Sequence, residues 1–463
     1  MQKKLSKGIM MVLIANIINM VVGVLSSLIL PKYLSISSYA AIKEYQLYLS
    51  YVGILHFGYN DAMYLRYGGK DINEINKEEV IHSLSIIRLY ILFVVLIGVL
   101  ASFAIDNEIL LCVSVVTAPT IMLSYYQFLY QASGEFKRYG HLLNIVSVGT
   151  FAINIALIFI VKTDYYMLYL ICYVTLSIFT CLLVEHSFGK LIGKSVASIY
   201  FRCSDLLLGM KNGILLTLGN FSSTLMTTMD RWFVKILMST ISFAQYSFAV
   251  SIENFLNVLI SPITVTLYNY FCTHKEQSEV DRIRKIVIIF ASIIIAAAYP
   301  ARLLLEIYLD KYIESADTIT LLFASQLFYV VNKGIYVNLY KSRGQLRKYF
   351  FDLVLVIIFG FVANCLLYMI MNSKESFAIA TLASAAFWLA LCIYRNKDVS
   401  INEEIYMLIE LGIFLFTGLT LSPIIGFALY IVSTLICMSL FLHDSCKEIR
   451  TISASFIKDK LNF

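Results

Sequence analysis

The sequence predicts an all-α membrane protein with about fourteen transmembrane helices, each of about 20 residues, and three observations carry that expectation. First, 59% of the 463 residues are hydrophobic and only 14% are charged, whereas an ordinary soluble domain carries about 25% charged residues. Second, the mean hydropathy of +0.79 comes from long apolar blocks separated by short polar stretches. Such blocks favour bundled helices over a barrel, whose strands would alternate at period two. Third, only five prolines interrupt the chain.

Taken in order, the blocks place spans at roughly 8–30, 39–62, 83–104, 109–131, 140–161 and 166–185. A second set follows at roughly 209–229, 242–269, 285–305, 317–340, 349–371 and 376–394, with a closing pair near 405–422 and 424–442. Only Ser422 and Pro423 separate that pair, so a single kinked segment would give the same pattern. The N-terminal MQKKLSKG resembles the start of a secretory signal, but the apolar run after it is long and lacks a small-x-small cleavage pattern, so it reads as the first span.

Lysine and arginine fix the expected orientation. With the N-terminus in the cytoplasm, 26 of the 36 fall in cytoplasmic segments and six in outer loops, and the remaining four lie within spans. One missed helix would scramble that alternation, so the bias supports fourteen spans with both termini cytoplasmic. The same bias explains the net charge of +6 without nucleic acid. Cys112, Cys172, Cys181, Cys365, Cys392 and Cys437 sit in apolar blocks as small hydrophobes. The sequence offers no metal-ligand spacing, no catalytic constellation and no cofactor motif.

Tyr33-Leu34-Ser35 with Tyr39, then His56-Phe57-Gly58-Tyr59 and Leu65-Arg66-Tyr67-Gly68-Gly69-Lys70, resemble oligosaccharide flippases of the Wzx type. That family belongs to the polysaccharide transporters of the multidrug, oligosaccharidyl-lipid and polysaccharide exporter superfamily, which also includes the lipid II flippase. A second stretch, Asp230-Arg231-Trp232-Phe233-Val234-Lys235 followed by Gln245-Tyr246-Ser247-Phe248-Ala249, is similar to the seventh-to-eighth helix junction of the family. The resemblance implies two six-helix lobes related by a pseudo-two-fold, at 1–186 and 209–395. A cytoplasmic linker at 187–208 joins them, and 396–463 holds the last helix pair and a basic tail. An internal echo agrees: Ser38-Tyr39-Ala40-Ala41 enters the second helix as Ser242-Phe243-Ala244-Gln245 enters the eighth.

An ionisable residue near the bilayer centre costs about 2.5 to 3.5 kcal/mol on insertion scales, so each is a functional candidate with a partner to be found. Glu253 falls near the middle of the eighth span, with Asn257 and Ser261 following on one helical face. It is either part of a packed polar seam or a cavity carboxylate that binds a coupling H⁺ or Na⁺, with Asn257 beside it. Lys333, next to Asn332 and beyond Gln326, is either the counter-ion of Glu253 or a point charge for a pyrophosphate. Arg302 and Glu306 suit a mutual ion pair, with cavity lining as the other reading. Arg88 either snorkels to the interface or captures an entering phosphate. Lys43 and Glu44 are neighbours and cannot share a face, so one of them needs a partner on another helix.

Past the second span, Arg66, Gly68, Gly69 and Lys70 end a helix with cationic anchors, or else converge on an anion. The 32 tyrosines suit interfacial anchoring, although Tyr45 and Tyr48 are spaced to stack on a sugar. Asp352 and Glu410 fall near expected helix ends. The deep groups do not sum to a cationic cavity.

Together these readings lead to the expectation of a non-enzymatic flippase in the bacterial cytoplasmic membrane. It would carry an undecaprenyl-pyrophosphate oligosaccharide to the outer leaflet for capsule or O-antigen synthesis, as a monomer working beside polysaccharide polymerase machinery. An ion-coupled multidrug or small-molecule exporter shares the same frame. A membrane glycosyltransferase or polymerase would need acid–base groups on a sizeable outer loop, and the sequence has none.

Overall fold

The computed structural model describes residues 2–443 other than 69, 73, 194–195, 197, 274–275 and 397–400. Side chains at 2–13, 258–259, 261–263, 265–266, 269, 273, 346 and 401 are likewise outside the description. Gly69, Ser261 and the basic tail from 444 therefore lie outside the described residues.

The described chain is helical throughout, without a strand. It divides into two compact units, 1–228 and 229–463. The first contains α1 (Gln2–Tyr33), α2 (Ile36–Leu49), α3 (Tyr59–Tyr67), α4 (Lys77–Ile105), α5 (Glu108–Ala132), α6 (Phe136–Ile155) and α7 (Tyr166–Ile192). The long α8 (Cys203–Leu237) carries the boundary. The second unit contains α9 (Thr240–Glu253), α10 (Leu256–Thr273), α11 (Gln277–Ile295), α12 (Ala298–Tyr308), α13 (Ala316–Val331), α14 (Val337–Ser342), α15 (Leu346–Met371), α16 (Glu375–Asn396), α17 (Ile401–Thr420) and α18 (Pro423–Phe441).

Among the described residues, nine helical stretches are long and apolar enough to cross a bilayer. Their outer faces leave large apolar side chains uncovered, among them Phe103, Ile160, Met369 and Leu440, each more than two-thirds exposed. Apolar surface on this scale is stable against lipid and costly against water. This is an all-α membrane protein.

The other five expected spans coincide with α2–α3, α8, α9–α10, α13–α14 and α17, and each departs from a continuous apolar rod for a visible reason. The expected 39–62 helix is broken: α2 ends at Leu49, a 3₁₀ turn covers Val52–His56, and α3 begins at Tyr59. The expected 242–269 helix is also broken, between Glu253 and Leu256. A π-helical turn, Asn332–Tyr336, interrupts the 317–340 span between α13 and α14. Charged residues run through α8, and Glu403, Glu404 and Glu410 lie within α17. Membrane helices tolerate such breaks and charges where neighbouring protein or water satisfies the freed groups.

The two broken helices start alike. The Ser35 side chain accepts from the Ser38 N–H at 3.2 Å, and the Ser239 side chain accepts from the Ser242 N–H at 3.2 Å. Each satisfies one of the donors a helix start leaves open, and each opens a helix of 14 residues. At the first break, Phe57 and Gly58 both adopt positive φ, 45° and 93°. A glycine suits the second of these.

A single helix anchors each unit. In the first, α5 packs against α2, α3, α4, α6 and α7. In the second, α13 packs against α9, α11, α12, α16 and α17, and every residue from Thr318 to Val331 is buried. The closing pair is two helices, α17 and α18, packed together, with Ser422 in extended conformation before Pro423. At least seventeen of the 32 tyrosines are buried, among them Tyr39, Tyr125, Tyr246 and Tyr336, so more than half of them serve the protein core. Their rings supply core volume, and several of their hydroxyls find partners, as Tyr430 does by donating to the Ser292 carbonyl at 2.8 Å.

Candidate functional site

A buried polar cluster of the second unit begins on α8. That helix runs without interruption to Leu237, past the expected span end at 229, and so carries Asp230 and Arg231 inside a helix instead of an outer loop. Asp230 is buried. Its carboxylate accepts from the Tyr246 hydroxyl on α9 at 2.6 Å and from Thr381 on α16 at 3.4 Å. The Arg231 backbone N–H adds a third donor at 2.8 Å. Thus Asp230 and Tyr246, taken from the two separated pieces of one motif, hold each other.

Glu253 is the last residue of α9, at the break. The Gln326 side-chain amide on the buried α13 donates to its carboxylate. Asp230 acts on Glu253 as a like charge, while Lys333 and Arg231 act on it as opposite charges. Neither cation forms a contact ion pair with it among the described residues; the Lys333 ammonium lies over the Tyr329 ring, 5.3 Å from its centroid. The expected counter-ion pair of Glu253 and Lys333 is therefore not in contact. The expected continuous face of Glu253 and Asn257 is also not formed, because the chain leaves the helix at Asn254. Asn257 sits on α10 and donates to the Asn254 side chain at 3.0 Å.

Two carboxylates near one another, each fed by neutral donors, form a site suited to a proton or a small cation. Burial makes an uncompensated charge there costly. A helix ends at Glu253 at the same place, and a π-turn carries Lys333, a distortion frequent where function needs a helix to deviate. Asp230 was missed in the sequence because a span counted at about 20 residues ends one residue before it. The run from Asn220 through Lys235, free of Gly and Pro, was the signal that would have found it.

Other expected site residues are placed differently. Arg302 and Glu306 form no ion pair; Glu306 is exposed, and two guanidinium nitrogens of Arg302 are buried without a hydrogen bond among the described residues. Glu410 is not near a helix end but mid-helix in α17, fully buried, and accepts from Thr434 on α18. Asp352 accepts from the Tyr340 hydroxyl at 2.6 Å and pairs with Arg395 at 3.3 Å.

In the first unit, Arg88 pairs with Glu185 on α7 at 2.8 Å, and Arg66 pairs with Glu79 on α4 at 2.6 Å. Both cations are thereby engaged in ion pairs. Lys43 donates to Gln46 at 3.1 Å and lies over the Tyr39 ring, and Glu44 accepts from Tyr48 at 2.7 Å. Tyr45 is buried against Tyr173, with centroids 6.2 Å apart, and is not placed to stack on a sugar. Lys70 is exposed. The motif His56 to Tyr59 is the joint between α2 and α3: the His56 Nδ1 accepts from the Gly58 N–H at 3.1 Å, and Asp61 in the following turn accepts from Thr217 on α8. Across that joint, a Cβ on Gly213 would lie 1.8 Å from the Gly58 carbonyl oxygen.

These features define a class: polytopic helical membrane proteins whose spans are interrupted beside buried or half-buried carboxylates. No family model matches the sequence, and no curated protein matches it. Among solved structures the fold is similar to that of the lipid II flippase MurJ in its inward closed conformation, with a TM-score of 0.68 and 12% identity over 94% of this chain and 99% of that one. The Vibrio cholerae MATE transporter VcmN, in a variant form, aligns over 86% of this chain and 96% of its own at 14% identity and a TM-score of 0.49. A superfamily transporter from Pyrococcus furiosus aligns over 85% and 94% at 11% identity and 0.43. Those last two scores are too low to establish a shared fold.

Proposed function

We propose that this protein is a flippase that moves an undecaprenyl-pyrophosphate oligosaccharide from the inner to the outer leaflet of the bacterial cytoplasmic membrane, for capsule or O-antigen assembly. The single observation that carries the reading is the fold likeness to a lipid II flippase across nearly the whole of both chains. The glycan rests on the helix-two motif resemblance. The chain catalyses no bond change in this account: two lobes, 1–186 and 209–395, rock about the cargo so that its head group is exposed first inside and then outside.

Asp230 and Glu253 supply the coupling site. A proton or Na⁺ held between them would neutralise the pair and be released when the surrounding helices move. One charge driven across 100 mV is worth about 2.3 kcal/mol, enough to bias a two-state cycle. Among the described residues, Arg302, two of whose buried guanidinium nitrogens make no hydrogen bond, and Lys333, outside any contact ion pair, are cations available to a pyrophosphate. The protein works as a monomer alongside polymerase machinery, with both termini cytoplasmic. The same carboxylate pair would also serve an ion-coupled small-molecule exporter, which is the second reading.

Deleting the gene tests the choice. Lipid-linked oligosaccharide should accumulate in the inner leaflet while its synthesis continues; unchanged leaflet distribution together with new sensitivity to small toxic compounds would favour the exporter.

A further inference from the structure

The first unit contains a cavity of about 790 Å³ that none of the preceding roles uses. It opens between α3, the start of α4, and the chain entering α8, within the size range of small-ligand sites, about 300 to 1,000 Å³. Tyr59, Met63, Ile86 and Leu208 give it apolar surface. On another side the His82 and Tyr200 rings stack, 4.1 Å between centroids at an interplanar angle of 15°. The Tyr200 hydroxyl donates to Asp205 at 3.1 Å, and the Tyr200 N–H donates to Ser85 at 2.7 Å, so both ends of that residue are fixed.

The polar groups around this aromatic wall have a definite sign. Glu78, Glu79 and Asp205 line the cavity against one cation, Arg66, whose charge Glu79 already takes up. His82 and Asn212 also line it, are exposed, and make no side-chain hydrogen bond among the described residues. A phosphate or a carboxylated ligand would meet like charge here. A ligand with an apolar face, many hydroxyls and no negative charge would meet an aromatic wall, carboxylate acceptors, and an amide and an imidazole with free valences.

We propose that this cavity, with the stacked His82–Tyr200 pair, Asp205 and Asn212, is a binding site for a neutral or amino-sugar ring. The pyranose lies along the aromatic wall and its hydroxyls are read by Asp205, Asn212 and His82. The proposal rests on the flippase reading in one respect: the sugar is taken to belong to the glycan of the cargo, met at the bundle end that carries the 66–77 and 187–208 segments. A freely diffusing sugar has the same chemistry.

Full-length protein in lipid nanodiscs, titrated calorimetrically with glucosamine, glucose, glucuronate and uridine diphosphate glucose, tests it. Glucosamine and glucose should bind saturably and the two anionic probes about tenfold or more weaker, and His82→Ala and Asn212→Ala should each weaken glucosamine binding by about tenfold. Tyr200→Phe, which keeps the ring, should weaken it less than His82→Ala does. Absence of saturable binding, equal binding by the variants, or preference for glucuronate would overturn the site. Flipping of lipid-linked oligosaccharide by the same preparations separates the two ideas. Flipping without sugar binding removes the site and leaves the flippase; sugar binding without flipping removes the cargo as its source and leaves a site for a free sugar.

Discussion

Tyr246 illustrates how much a single side chain decides here. Its hydroxyl bonds the buried Asp230 at 2.6 Å, and a hydrogen bond to a charged group is worth about 1.5 to 3 kcal/mol. Tyr246→Phe should therefore reduce transport and shift its dependence on the coupling ion without preventing insertion, as read from initial rates in vesicles at varied pH and Na⁺. Glu253→Gln and Asp230→Asn should each abolish coupled transport while membrane insertion, followed by fractionation, stays normal; full activity in either would remove that carboxylate from the mechanism. Because Lys333 and Glu253 are not in contact, the double change Lys333→Ala with Glu253→Ala should not restore what Glu253→Ala alone loses. Restoration would show a functional ion pair that forms in another state of the cycle.

At the level of the elements, the expected spans located nearly every helix, because about 20 apolar residues are needed to cross the bilayer and hydropathy measures that directly. Hydropathy cannot see continuity. The break after Glu253 carries no glycine or proline, and Asn254-Phe255 reads as ordinary helix, so the seam of Glu253 and Asn257 looked unbroken. At Gly58 the letter was visible, but its φ of 93° and the crossing of Gly213 on it were not. Arg88 and Tyr45 were legible as polar or aromatic groups in apolar blocks, while their partners, Glu185 and Tyr173, set by packing between distant segments, were not.

Two helix contacts can be tested by substitution. Gly213→Ala places a methyl 1.8 Å from a backbone oxygen that cannot yield. It should lower thermal stability in detergent by more than the roughly 1 to 3 kcal/mol usual for overpacking, whereas Gly219→Ala, with open space around it, should be neutral. On the second unit, Arg284 on α11 pairs with Glu403 on α17 at 2.6 Å, and both are buried. Arg284→Ala leaves that carboxylate, among the described residues, with Lys285 as its cation, 4.0 Å away, and should cost about 3 to 5 kcal/mol. Replacing both partners with apolar residues of similar volume should cost far less. Melting curves of the single and double variants decide whether this pair fastens the terminal helices.

At the scale of the whole molecule, an all-helical membrane fold carries spans interrupted beside buried or half-buried carboxylates, and the proposed flippase cycle rests on that combination. The residues of the sequence motifs are joints: His56 to Tyr59 at one helix break, Asp230 and Tyr246 bonded to each other beside the other. The most direct test of the central claim is flipping by the purified protein in sealed vesicles that hold an undecaprenyl-pyrophosphate oligosaccharide in the leaflet facing the cytoplasmic side of the protein. The account predicts that an imposed ion gradient makes the glycan accessible to a glycosidase on the opposite side, and that Glu253→Gln vesicles leave it protected. Protection that persists with the unaltered protein under H⁺ and Na⁺ gradients of either direction would contradict it.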